Sequence, residues 1–74
     1  MSVRVLYFAA LKEKMKCSEA THDIVPGETV LDLADRLVGF HDSLLFAVND
    51  EMVEPDYQLK SGDKLAFIPP MAGG

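Results

Sequence analysis

The chain has no tryptophan, one cysteine and two histidines among its 74 residues. A lone thiol, Cys17, excludes an internal disulfide. It lies between Lys16 and Ser18, with no local His or Asp pattern to activate it, and reads as an incidental residue at a helix end rather than a nucleophile. His22 and His41 stand in no metal-ligand spacing, so both read as solvated or satisfied side chains and no metal is expected. Basic residues are scarce, 7 Lys and Arg against 12 Asp and Glu, for a net charge of −5. That balance disfavours nucleic acid and anionic membranes, both of which are held through Lys and Arg. It suits a basic protein partner. The acidic residues are scattered rather than paired, which gives no general acid–base couple. No apolar run approaches the roughly 18 residues that span a bilayer. Met1-Ser2-Val3-Arg4 opens no signal-peptide segment. A soluble, cytoplasmic protein is expected. There is no Walker A loop or other glycine-rich phosphate cradle, so the chain is expected to bind no cofactor by itself.

What is present is a globular mix, 49% apolar and 26% charged. At this length the chain is one domain, residues 1–74, with a tail over 69–74. Its core is small but feasible, since such a chain buries about 60% of its unfolded surface. Val3 to Phe8 alternates as a first strand, and Ala9 to Lys16 is made of helix formers. Thr21 to Val25 is a second strand, closed by Pro26-Gly27. Thr29 and Asp32 resemble a capping box ahead of an amphipathic helix, Val30 to Val38, with Gly39 at the αL stop. Leu44 to Val48, a turn at Asn49-Asp50 and a short return at Met52-Val53 form a hairpin. Ser61-Gly62-Asp63 turns into the last strand, Lys64 to Ile68. The main helix has one apolar stripe to bury, and a mixed sheet covered on one face satisfies it. The expected fold is α+β: a β-grasp, with the first and last strands parallel neighbours at the centre of about five.

A sheet covered on one side should be polar on the other. Arg4 and Lys64 mark the open face, which puts Leu6, Phe8, Ala66 and Ile68 on it. Val3, Val5, Tyr7, Leu65 and Phe67 then face the helix. Phe8 and Ile68 meet at the end where Pro69-Pro70 leaves, and an apolar patch beside a tail reads as a docking surface.

The tail itself is the best candidate for chemistry. Pro69-Pro70 ends the ladder and stiffens the exit. The stretch from Pro69 to Gly74 spans at most about 20 Å. Gly73 and Gly74 have no side chains, so a carboxylate at Gly74 fits a channel as narrow as a backbone. A carboxylate is a poor electrophile until activated, for instance by adenylation in a partner's ATP site. The activated acyl group then takes sulfur, giving a thiocarboxylate, or an amine, giving an isopeptide.

Three stretches resemble the MoaD/ThiS family of ubiquitin-like sulfur carriers, and within it the MoaD small subunits of molybdopterin synthase. They are Val3-Arg4-Val5-Leu6-Tyr7-Phe8-Ala9-Ala10-Leu11; Phe46-Ala47-Val48-Asn49 with Met52-Val53; and Gly62-Asp63-Lys64-Leu65-Ala66-Phe67-Ile68-Pro69-Pro70-Met71-Ala72-Gly73-Gly74. The chain departs from the pattern in a short segment from Gly39 to Leu44, in Ile68 where many members have an aromatic, and in Met71 where valine is common. The resemblance implies an E1-like, MoeB-like adenylyltransferase that uses ATP to activate Gly74, and a sulfur donor that makes the thiocarboxylate. It also implies a MoaE-like large subunit in which the sulfur passes to cyclic pyranopterin monophosphate, with two carriers on a dimeric large subunit. Gly74 and Gly73 would be the reacting end. Phe8, Met52, Ile68, Pro69, Pro70, Met71 and Ala72 would be the partner contacts, Met52 on the resemblance alone. The chain would be a carrier subunit without catalytic side chains of its own. A ThiS-like carrier for thiazole synthesis, a ubiquitin-like modifier of lysines and a passive binding module remain open beside it.

Overall fold

The computed structural model describes residues 1–39 and 44–69. Its elements run β1 (Ser2–Tyr7), α1 (Ala10–Met15), β2 (Glu19–Asp23), α2 (Val30–Leu37), β3 (Leu45–Val48), β4 (Glu51–Val53) and β5 (Lys64–Ile68). The strands form one sheet in the order β2-β1-β5-β3-β4. β1 and β5 are parallel, and the other pairs are antiparallel. This is the expected mixed sheet, with the last strand at its centre and the first beside it.

Alternation decides which side chains enter the core. Val3, Val5 and Tyr7 of β1 and Leu65 and Phe67 of β5 are all buried, as the strand parity requires. Val30, Leu33 and Ala34 of α2 meet them from one side, and Leu11 of α1 joins the same cluster. Phe67 packs between Tyr7 and Phe46, with ring centroids 6.1 and 5.9 Å away. Each such side chain contributes about 1.5–3 kcal/mol on leaving water.

Local chemistry sets where α2 begins and ends. Thr29 Oγ1 accepts the Asp32 N–H at 3.1 Å, and the Asp32 carboxylate accepts the Thr29 N–H at 3.1 Å, so the capping box is complete despite the shorter acid. Two more N-terminal donors are met by the segment joining β4 to β5: Val30 N–H donates to Tyr57 O and Leu31 N–H to Pro55 O. Gly39 closes the helix at φ +80, its N–H donating to Ala34 O.

The hairpin turn at Asn49-Asp50 has φ 53 and 73, the left-handed pair these residues tolerate. Asn49 also ties the sheet to the turn before β5. Its amide donates to Asp63 at 3.0 Å and its side-chain oxygen accepts from the Lys64 N–H. Asp63 is buried, and its other oxygen accepts from the Lys60 N–H at 2.8 Å.

Some element ends differ from the sequence expectation. The first strand stops at Tyr7, and Phe8 lies just past it. The second strand runs Glu19–Asp23 rather than Thr21 to Val25. Pairing causes the slip: β1 holds β2 from Leu6↔Glu19 to Ser2↔Asp23, so the ladder starts ahead of Thr21 and stops short of the β-branched pair Ile24-Val25 that marked the strand in the sequence. Leu44 precedes β3 and is buried. Among the described residues no helix is long and apolar enough to cross a membrane. His41 falls outside the described residues.

Candidate functional site

With α2 and α1 on one face, the other face of the sheet is open, and its side chains fall into rows set by the register. One row runs Met52, Ala47, Ala66, Leu6, Glu19, each paired with the next across adjacent strands. The next row toward the tail holds Leu45 opposite Ile68. Tyr7 pairs with Phe67, so Phe8 and Ile68 are the residues that follow on these two parallel strands. Directly paired side chains lie about 5 Å apart, close enough for one continuous surface. Phe8, Leu45 and Met52 are 44%, 52% and 58% exposed; the other large apolar side chains exposed among the described residues are Met1 and Val25.

The opposite end of the open face is charged. Arg4 pairs in register with Lys64, and each cation is held by an acid on its outer side. Arg4 Nη2 lies 2.6 Å from Glu19 Oε2, and Lys64 Nζ lies 3.3 Å from Asp50 Oδ1. These exposed pairs add little stability. They keep two like charges from repelling across the β1–β5 junction. The face is thus apolar toward the tail and polar away from it.

Pro69 follows β5 directly and is half-buried. The chain therefore leaves from the central strand at the apolar end of the face. Pro70, Met71, Ala72, Gly73 and Gly74 lie outside the described residues. The structure brings Phe8, Ile68 and Pro69 to one end of the sheet and places Met52 one row back, opposite Ala47. It adds Leu45, which sequence reasoning missed. The signal was available: with Phe46 and Val48 turned to the core, parity sends Leu45 and Ala47 to the open face.

The remaining candidates have structural partners. His22 Nε2 lies 3.2 Å from Tyr7 Oη, and burial, with Arg36 nearby, pushes the imidazole below its ordinary pKa. Burial pushes the Tyr7 phenol up, with a smaller contribution from Cys17. Cys17 is half-buried and packs against the core just beyond α1. Among the described residues no group of three His, Cys, Asp or Glu side chains gathers as a metal site.

Comparison with known proteins is consistent with this geometry. Residues 5–74 match the ThiS family. The chain is 36% identical to the molybdopterin synthase sulfur carrier subunit of Chlamydomonas reinhardtii, covering 100% of both chains. It is 33% identical to the protein of that name in Escherichia coli (strain K12), covering 97% of this chain and 99% of the relative. Among solved structures, SAMP1 from Haloferax volcanii superposes with a TM-score of 0.83 at 27% identity over 100% of both chains. A putative molybdopterin converting factor subunit 1 from Pyrococcus furiosus gives 0.81 at 26%, covering 96% of this chain and 99% of that one. A ubiquitin-like protein from Caldiarchaeum subterraneum, at 13% identity and a TM-score of 0.63, shares the fold. From the sheet order, the match over residues 5–74 and these full-length relatives, the chain belongs to the ThiS family of ubiquitin-like β-grasp proteins, the group that includes MoaD.

Proposed function

We propose that this chain is the sulfur-carrier subunit of a molybdopterin synthase, and that the carboxylate of Gly74 is its reacting group. The supporting observation is the exit of the chain from the central strand beside an exposed apolar face, in a family whose match runs to residue 74. A protein docked on that face holds the start of the tail at a defined place, and the remaining residues reach into a channel. Gly73 and Gly74 pass where a side chain would not.

The chemistry divides between the chain and its partners. In a MoeB-like adenylyltransferase the Gly74 carboxylate attacks the α-phosphate of ATP and releases pyrophosphate. Sulfide-level sulfur from a donor attacks the acyl carbon, displaces AMP and leaves a thiocarboxylate. In a MoaE-like large subunit the thiocarboxylate sulfur bonds to a carbon of cyclic pyranopterin monophosphate with loss of an oxygen leaving group, and water then cleaves the resulting thioester, leaving the sulfur on the pterin and returning the Gly74 carboxylate. Phe8, Leu45, Met52 and Ile68 supply the apolar contact, and Pro69, Pro70, Met71 and Ala72 lead the end into the partner. No side chain of this subunit acts as acid or base in these steps. The anionic chain suits a large subunit whose basic residues hold the anionic substrate.

The experiment is intact mass spectrometry of the untagged protein with ATP, the adenylyltransferase and a sulfide source. The expected result is the mass gain of one oxygen exchanged for sulfur, lost when Gly74 is deleted, followed by sulfur transfer to the pterin precursor in the large subunit. Thiocarboxylate formation without pterin turnover, but with thiazole synthesis, would assign the ThiS-like role instead. A second reading, protein modification, is favoured by the likeness to small archaeal modifier protein 1. The same adenylate attacked by a lysine gives an isopeptide. Gly74-linked conjugates in lysate that depend on the adenylyltransferase would establish it.

A further inference from the structure

Between the last buried residue of β1 and the first buried residue of α1 the chain has three positions in which to turn. Tyr7 and Leu11 are each 2% exposed, and Phe8, Ala9 and Ala10 between them are exposed. Leu11 N–H donates to Phe8 O at 3.0 Å, closing a four-residue turn. Ala9, its first central residue, has φ 51 and ψ −127. These are the angles of a type II′ turn, at a position normally filled by glycine. An L-residue is strained there, because its Cβ crowds the backbone at positive φ. Ala9 breaks a second local rule. It is the N-cap residue of α1 and forms no side-chain cap, where Ser, Thr, Asp or Asn would supply one.

The Ala9 side chain is exposed, so its methyl group is not explained by burial. Glycine would make the same turn without strain. What the methyl group does that hydrogen does not is remove most of the backbone conformations glycine visits. The residue so restricted is the one joined to Phe8, which stands 44% exposed at the edge of the apolar face. Violations of local preference concentrate where function holds a geometry against its intrinsic cost.

We propose that Ala9 is a positioning residue: its strained turn holds Phe8 in place at the end of the open face before a partner arrives. Ordering Phe8 in advance lowers the entropy lost on docking. The binding part of this proposal rests on the docking role of the open face given above.

Chemical ligation at Lys16–Cys17 makes the test direct, because residues 1–16 are synthesised separately. Three forms are compared: wild type, Ala9→Gly, and the chain with D-alanine at position 9. A D-residue is unstrained at positive φ yet keeps the restriction. For each, NMR reports the order of Phe8 in the free protein, thermal melting reports stability, and calorimetry reports affinity for the large synthase subunit. Ala9→Gly is expected to melt no lower than wild type, to lower the order of Phe8, and to weaken binding roughly three- to tenfold. The D-alanine form is expected to melt highest, restore the order of Phe8 and bind within about twofold of wild type or tighter. Unchanged Phe8 order in Ala9→Gly overturns the proposal, as does unchanged affinity. A D-alanine form that melts below wild type would show that the turn stores no strain. If wild type itself does not bind the large subunit, the docking role fails, while the order of Phe8 in the free chain still decides what Ala9 does.

Discussion

Asp63 shows how one side chain organises a strand entry. It is 7% exposed, and its two oxygens accept from the Lys60 N–H and the Asn49 amide. Asp63→Ala would leave both donors short of a partner, and a loss of about 1–3 kcal/mol is expected in urea denaturation. His22 gives a signed pH dependence. Burial and Arg36 lower its folded pKa, so the unfolded chain binds the proton more tightly. Its contribution to stability is present above the ordinary histidine value of about 6.5 and is lost as pH falls from there through the lowered folded value. Denaturation midpoints across that window should decline for wild type, and less steeply for His22→Gln. The role of Asp63 could not be assigned from the sequence. A turn Asp looks the same whether exposed or buried, until the donors that close around it are known.

The element with most to test is the apolar end of the open face. Phe8 is 44% exposed, so Phe8→Ser should cost little stability while weakening binding to the large subunit by tenfold or more, on the order of 1.4 kcal/mol. Leu45→Asp, opposite Ile68, should behave in the same way. A collapse of thermal stability in either variant would place that residue in the core. Periodicity read most of these elements well. The capping box at Thr29 and Asp32, the Asn49-Asp50 turn and the Lys64–Ile68 strand all lie where their local signals put them. The misplaced ends, at Phe8 and at Thr21 to Val25, are those whose limits are set by a neighbouring strand rather than by their own residues.

For the molecule as a whole, the proposed function requires a folded body that does no chemistry and an end that does. Residues appended after Gly74 should abolish sulfur loading in the mass assay while leaving the melting temperature unchanged. Gly74→Ala should load poorly, because a methyl group must enter a channel shaped for backbone. Full pterin synthesis with a C-terminal tag in place would refute the role given to the carboxylate. The net charge of −5 predicts that association with a basic large subunit slows as salt is raised, since exposed charges steer over only about 10 Å at moderate ionic strength.

Alternation, caps, turn residues and the Pro-Pro to Gly-Gly ending are short-range patterns. They were enough to set the order of the elements, the inward faces of β1 and β5, and the family. What they could not supply is adjacency between residues far apart in the chain. Leu6 meets Ala66 because the first and last strands pair in parallel, and Ala66 in turn meets Ala47, with Met52 beyond it. That register, set by the packing of one sheet face on α2, makes a single apolar surface of separate strands and adds Leu45 to it. The strain at Ala9 has the same origin: Tyr7 and Leu11 are both anchored in the core, and the turn between them takes the geometry they impose.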